Sequence, residues 1–214
     1  NNLNTRFKEN LAQIRANMDN LETCELAHAF DVPVLLNSDL RDGSLRQVAA
    51  ERGIPMLLYE AGEALRFDEV CIRAGVKGVT SVMRKLGMLT PGRTIKRKHE
   101  PAIARSSIWV RAPDSGILRS ITPLGARVRK GDVIALIADP LGARELEVVA
   151  TTAGIVIGRA TLPLVNEGDA LFHIARFGET TAVEEEIAVH GSNIEEDRLY
   201  DIETIHPPPE ETGA

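Results

Sequence analysis

Two related stretches of sequence decide the fold of the second half of the chain. Residues 112–117 read APDSGI and residues 128–132 read VRKGD; residues 150–155 then read ATTAGI and residues 165–169 read VNEGD. Each copy closes with an apolar segment, at 133–138 and at 170–175. Short apolar segments separated by Gly and Pro predict strands. Because one copy is too small to bury its own apolar face, we expect the two copies to pair into one β-sandwich or barrel.

This repeat resembles the biotinyl/lipoyl-like fold, so we interpret residues 108–177 as a small all-β domain. Carriers with that fold present a modified lysine at the hairpin that joins the two copies. The joint here, residues 139–147, reads DPLGARELE and contains no lysine, while Lys130 lies before the turn of the first copy. The sequence therefore argues against a cofactor carrier.

The first part of the chain, residues 1–92, has an α/β pattern. Residues 33–37 (PVLLN) and 54–59 (IPMLLY) are apolar runs typical of buried strands in a largely parallel sheet. Between them, Ser44 and Gln47 have the spacing of a capping box, and Gly53 is placed to end the helix. These residues predict a β-α-β unit.

Two further helical segments are predicted on either side of this unit. The first is an amphipathic helix of about five turns, with apolar residues at steps of four and three: Phe7, Leu11, Ile14, Met18 and Leu21. The second follows the later strand as two pieces, residues 67–74 and 76–89, which Gly75 and Gly78 are expected to separate.

The remaining segments are predicted to connect or to extend the domains. Residues 93–107 have no clear period and a basic cluster at 93–98, which is typical of a linker with a solvated surface rather than of a binding patch. Residues 178–214 hold eleven acidic residues against Arg198 alone, and three consecutive prolines, 207–209, lie near their end. That composition predicts an acidic tail that is disordered or lies loosely on the surface.

Composition excludes several classes of function. With 214 residues, 43% of them hydrophobic, and a net charge of -6, the chain suits a soluble protein with two domains and has no strong attraction to nucleic acid or an anionic membrane. No apolar run approaches the roughly 18 residues of a membrane span. Cys24 and Cys71 both lie in helical patterns, which favours reduced thiols and a cytoplasmic location. The chain begins without methionine, which is compatible with a fragment.

Chemistry is most strongly indicated around Glu60. This residue follows the apolar run at 54–59, and a carboxylate just past the end of a buried strand stands where open α/β sheets bind ligands. Gly62 permits the turn that aims it. In a metal-dependent hydrolase, such a glutamate takes the proton of a water whose pKa the metal has lowered. Alternatively, Glu60 caps a helix or pairs with Arg66.

Four blocks in the same order resemble the succinylglutamate desuccinylase/aspartoacylase family: NLAQIRAN (10–17), DGSLR (42–46), YEAGEALRF (59–67) and VMRKLGML (82–89). The resemblance covers residues 10–175. It implies the C-terminal part of a zinc-carboxypeptidase-like α/β catalytic domain, followed by the β-domain. It also implies that Glu60 is the general base. Glu63 and Arg66 match the surroundings of that base without an assigned role.

The resemblance implies zinc, but its ligands are not found in this sequence. The family holds its metal with a His-x-x-Glu pair and one further histidine. None of the five histidines, at positions 28, 99, 173, 190 and 206, has a glutamate three residues later. His28 precedes Asp31 at a helix end, where capping or packing accounts for it. No metal ligand is therefore assigned, and the ligands are expected upstream of Asn1.

Two functional hypotheses follow. The first is a zinc-dependent deacylase that cleaves the amide bond of an N-acyl amino acid or a similar small amide. The second is a non-catalytic fragment or degenerate homologue that acts as a binding module. Residues that bind substrate are not identified. Homo-oligomers are compatible with both hypotheses, since half of an α/β sheet exposes a strand edge that favours association.

Overall fold

The computed structural model describes residues 7–38, 40, 42–91, 101–177 and 187. Within them the chain forms three helices, α1 (Leu21–Phe30), α2 (Leu45–Glu51) and α3 (Glu69–Lys85). The strands of the first part are β1 (Lys8–Ala16), β2 (Val34–Asn37), β3 (Leu58–Glu63) and β4 (Ala102–Ala104). Those that follow are β5 (Ser106–Arg111), β6 (Gly116–Ser120), β7 (Arg127–Val128), β8 (Val133–Ala138), β9 (Glu145–Val149), β10 (Gly154–Ala160), β11 (Leu164–Val165) and β12 (Ala170–Arg176).

The predicted first helix is wrong, because this segment forms β1. Its buried hydrophobic residues Ala12, Ile14 and Ala16 alternate along the strand, as the period of two in a strand requires. The helical spacing of Leu11, Ile14 and Met18 ignored the two small alanines. Since β1 pairs with β2, β3 and β10, hydrogen bonding to neighbouring strands overrides the local pattern.

The β-α-β prediction is confirmed in its elements but not in its strand directions. Strand β2 is parallel to β1, whereas β3 runs antiparallel to β1 and lies on the other side of it from β2. The later strand also begins at Leu58 rather than at residue 54.

Ser44 caps α2 as predicted, since its hydroxyl accepts from the Gln47 amide at 3.2 Å. The side chain of Gln47 accepts from Gly43 instead of from Ser44.

Helix α3 is continuous, so the predicted break at Gly75 and Gly78 is wrong. Gly78 is buried against Phe30 of α1, and a Cβ at this position would lie 2.2 Å from the aromatic ring. The glycine is therefore needed for the close approach of α1 and α3. Asp68 begins the helix by accepting from the amide of Cys71 at 3.0 Å.

One sheet runs through both predicted domains, in the order β4-β2-β1-β10-β12-β5, with β3 and β7 attached at its sides. Strand β4 lies parallel to β2 inside the segment predicted as a linker. Ala104 is fully buried there against the core, so this part of the predicted linker is a sheet strand. The basic cluster at 93–98 lies outside the described residues.

The sequence repeat forms two interlocked copies. Gly131 donates to the carbonyl of Ala150 at 2.8 Å, and Gly168 donates to the carbonyl of Ala112 at 2.9 Å. Each short strand likewise pairs with the other copy, β7 with β10 and β11 with β6. A shared core of buried side chains from both copies lies between the two sheets. The two copies therefore pair with each other, although strands of the second copy also belong to the sheet of the α/β part.

Three smaller observations complete the fold. Both cysteines are free thiols and lie in helices, as predicted. No helix of the described residues has the length and apolar character needed to cross a membrane. In the predicted acidic tail only Ile187 is described, and it packs against a core that includes Ile155 and Ile157.

Candidate functional site

Glu60 is the third residue of β3 rather than a residue beyond the strand end. Its direct partner in the ladder with β1 is Gln13, so these two side chains share one face of the sheet with Arg15. Gly62 has a φ of +66° and lies opposite an irregularity in β1 between Asn10 and Gln13. Gly62 therefore adopts the left-handed backbone conformation that favours glycine, but it does so within β3 and not in a turn after the strand.

The carboxylate of Glu60 is held by two side chains of β1. Nε of Arg15 lies 2.7 Å from Oε2, which makes an ion pair, although the N–H bond is not aligned for a hydrogen bond. Nε2 of Gln13 donates to the same oxygen at 3.3 Å. The side chain of Glu60 is 31% exposed, so solvent reaches a carboxylate whose position is fixed.

A second contact of Arg15 leads into residues 108–177, the region that contains the two copies of the repeat and is called the β-repeat below. Its Nη2 lies 3.4 Å from Nδ1 of His173, which is 1% exposed in β12. His173 stacks on Trp109 of β5, its ladder partner, with 4.3 Å between ring centroids and 7° between ring planes. One chain of contacts therefore connects Glu60 to β12 and β5 of the large sheet.

Lys8 closes this chain of contacts at the far end. Its Nζ lies 4.1 Å from the centroid of the Trp109 ring, within the range of a cation–π interaction. Burial, together with the positive charge of Arg111, lowers the pKa of Lys8. The site thus combines two cations and one carboxylate around a buried aromatic stack.

The other residues highlighted by the sequence lie elsewhere. Glu63 accepts from Nε of Arg66 at 2.9 Å, so the predicted alternative pairing of Arg66 with Glu60 is wrong. Both line a cleft of about 550 Å³ between β3 and α3. The cleft also contains Cys71. Burial, and to a lesser extent the Asp68 carboxylate, raises the pKa of that thiol to about 12, so it is not a thiolate at neutral pH.

The described residues do not fit a zinc ion by themselves. No three of their His, Cys, Asp and Glu side chains are close enough to hold a metal. Glu60 and His173 both contact the guanidinium of Arg15, a cation. His28 lies in the last turn of α1, as predicted. His99, His190 and His206 lie outside the described residues.

Sequence reasoning missed the partners of Glu60. Gln13 and Arg15 belong to the block NLAQIRAN, but the apolar spacing around them predicts a helix. His173 had a clearer signal, because it occupies the position at which the first copy of the repeat has Leu136. A histidine that replaces an apolar residue of an otherwise similar strand indicates a specific polar contact.

The fold and the site together define an α/β protein with a carboxylate held on its sheet and an adjoining repeat of strands. A mixed sheet with α-helices carries a fixed carboxylate and continues into a repeat of interlocked strands. No model of a known family matches the sequence, and no curated protein matches it.

Several solved structures with a similar fold are proteins of the succinylglutamate desuccinylase/aspartoacylase family. The apo structure of the ectoine utilization protein EutE (DoeB) from Ruegeria pomeroyi has a TM-score of 0.72 and 21% identity, over 79% of this chain and 56% of that chain. A succinylglutamate desuccinylase/aspartoacylase from Rhodobacter sphaeroides has a TM-score of 0.70 and 20% identity, over 81% of this chain and 56% of that chain.

A third structure, an aspartoacylase family protein from Mesorhizobium loti, has a TM-score of 0.62 and 18% identity, over 81% of this chain and 60% of that chain. The predicted resemblance is thereby confirmed as a shared fold. The chain spans a little more than half the length of these proteins.

Proposed function

We propose that the chain is the C-terminal part of a hydrolase that cleaves the amide bond of an N-acyl amino acid or a similar small amide, with Glu60 as the general base. The observation that carries the proposal is the fixed, partly exposed carboxylate of Glu60 in a fold shared with deacylase-family proteins. In this proposal residues 1–92 belong to the catalytic domain, and the repeat is a biotinyl/lipoyl-like β-domain.

The contacts of Glu60 suit the role of a base. Arg15 and Gln13 both contact Oε2, which leaves Oε1 as the oxygen that can accept a proton from the attacking water. General-base catalysis requires the proton donor within hydrogen-bond reach of such an oxygen. The ion pair with Arg15 keeps the side chain in one orientation, so that no rearrangement is needed when water and substrate bind.

The zinc that the resemblance implies would act as a Lewis acid and lower the pKa of water. Because the described residues do not form a three-ligand site, we propose that its ligands lie upstream of Asn1 in a longer protein. The role proposed for Glu60 requires only its own carboxylate.

The proposal also covers partners and location. The substrate is a small molecule, and neither nucleic acid nor membrane is a partner. Two free thiols favour the cytoplasm.

The cleft beside β3 exposes apolar side chains of α3, including Val76 and Val79. Among the described strands β3 pairs only with β1, so its other edge supports the predicted homo-oligomer.

A second function, the binding module, is favoured by one observation. Glu60 is already in contact with a cation, Arg15, and an ion pair of this kind is also a common way to fix neighbouring strands. In that case Glu60 has a structural role, and its removal changes stability rather than turnover.

Substitution of Glu60 in the full-length gene product separates the two functions. Glu60→Gln keeps the size and hydrogen bonding of the side chain but removes the base, so we expect at least about a 100-fold loss of kcat on a panel of N-acyl amino acids. Hydrolysis is followed by release of the free amino acid, and zinc content is measured by atomic absorption.

The matched control is Glu69→Gln, which removes an exposed ion pair with Arg73 on the first turn of α3. It should leave kcat unchanged. Retained turnover in Glu60→Gln would contradict the role of the base, and absence of hydrolysis by the unmodified protein over the whole panel would favour the binding module.

A further inference from the structure

The β-repeat contributes a side chain to the environment of Glu60. In the ladder of the large sheet, Asn10 of β1 pairs with Gly158 of β10, which pairs with His173 of β12. A Cβ at Gly158 would lie 2.9 Å from Oδ1 of Asn10 and 3.3 Å from Cβ of His173. The missing side chain at Gly158 therefore leaves space on the face of β10 between Asn10 and His173, on the side of the sheet where Arg15 contacts His173.

The chemistry of the contact fixes the state of the histidine. A guanidinium has only N–H donors, so the atom of His173 that faces Nη2 of Arg15 must accept. Nδ1 is then unprotonated, and the single ring proton lies on Nε2.

The stack on Trp109 fixes the ring itself. With 7° between the planes, rotation of His173 about its side-chain bonds would break the contact with Trp109. The ammonium of Lys8 also lies over the tryptophan ring. The acceptor Nδ1 is therefore presented to Arg15 in one direction only. A histidine that is fixed, neutral and buried has the properties of a group that orients another side chain.

We infer that His173 is a positioning residue for Glu60, acting through Arg15. Nδ1 of His173 orients the guanidinium, and the guanidinium in turn orients the carboxylate oxygen Oε2. This inference rests on the proposed function. It assigns the β-repeat a part in catalysis, since His173 and Trp109 both belong to strands of that region.

Two substitutions separate the acceptor from the ring. His173→Phe keeps an aromatic ring that can stack on Trp109 but removes the acceptor, whereas His173→Asn removes the ring and keeps an acceptor near the position of Nδ1. We expect kcat of His173→Phe to fall about 10- to 100-fold with little change in KM, as for other groups that orient catalytic side chains. His173→Asn should recover most of the loss.

A structural measurement tests the contact without reference to activity. In the full-length protein, nitrogen-15 NMR of labelled histidine should show His173 with Nδ1 unprotonated at neutral pH. The Nε signal of Arg15 should shift in His173→Phe and return toward its original position in His173→Asn. Thermal unfolding of each variant establishes that it is folded.

The outcomes are distinct. A proton on Nδ1, or an Arg15 signal that does not respond to His173→Phe, would overturn the contact itself. Unchanged kcat in folded His173→Phe, when Glu60→Gln is inactive, would overturn the positioning role while the proposed function stands. If Glu60→Gln retains full activity, the proposed function fails, and the NMR result alone decides whether His173 orients Arg15.

Discussion

The two copies of the repeat have the same local structure but different surroundings. Gly131 and Gly168 occupy equivalent turns, and the amides of Arg129 and Asn166 donate to equivalent aspartates, Asp132 at 2.7 Å and Asp169 at 2.9 Å. These turns are fixed by residues that lie within a few positions of one another. Short-range sequence therefore determines them in the same way in both copies.

The burial of the strands differs between the copies. Strands β6 and β8 of the first copy belong to a four-stranded sheet, whereas β10 and β12 of the second lie inside the larger sheet beside β1. Ile117 is 44% exposed, and its equivalent, Ile155, is fully buried against Val34 and Leu36 of the α/β part. The neighbouring strands, rather than the repeated sequence itself, therefore determine which copy has its strands buried.

The comparison of Gly154 with Gly116 gives the largest expected effect. A Cβ at Gly154 would lie 2.1 Å from the carbonyl oxygen of Ala175, and one at Gly116 would lie 2.5 Å from that of Ala138. Because backbone must move in both cases, Gly154→Ala should lower the free energy of unfolding by about 4 kcal/mol and Gly116→Ala by about 2 kcal/mol.

Urea unfolding followed by circular dichroism measures both values. The smaller effect at Gly116 is expected because the first copy has fewer neighbouring strands and can shift more freely. A loss at Gly116 equal to or larger than that at Gly154 would show that the surroundings of the second copy do not restrain it further.

An intermediate effect is expected at the isoleucines that follow these glycines. Ile155→Ala removes a fully buried side chain and should cost about 3 kcal/mol, within the usual range for large-to-small changes in a core. Ile117→Ala removes a half-exposed side chain and should cost less than about 1 kcal/mol. Equal losses in urea unfolding would mean that Ile117 is covered in solution.

The sequence predicted what depends on short-range pattern. The repeat, strand β2, the Ser44 cap of α2 and the two helical cysteines were all confirmed, because turns, caps and apolar runs are local. Strand β1 was predicted as a helix, because its buried face uses Ala12 and Ala16, which carry little hydrophobic signal. The continuity of α3 through Gly78 depends on Phe30, which is 48 positions away and cannot be read from local spacing.

The candidate site shows the same limit. Glu60 could be selected from its motif and from the resemblance, yet its partners Gln13 and Arg15 are on a strand that the sequence did not predict. His173 lies 158 positions from Arg15 and meets it only because β10 joins β1 to the repeat. Comparison of position 173 with position 136 was the one signal in the sequence that pointed to it.

The smallest expected difference between the two copies is at the turns that they share. Gly131 has a φ of +93° and Gly168 a φ of +82°, and no atom lies within 4 Å of a Cβ built at either position. An alanine therefore meets only the intrinsic strain of a left-handed backbone, about 1 kcal/mol, and the loss should be the same in both copies. Asparagine tolerates this conformation better, so Gly131→Asn and Gly168→Asn should each recover part of the loss. If Gly168→Ala proved clearly more damaging than Gly131→Ala in urea unfolding, the surroundings of the second copy would reach its turns as well as its strands, and the separation of local from long-range control would not hold.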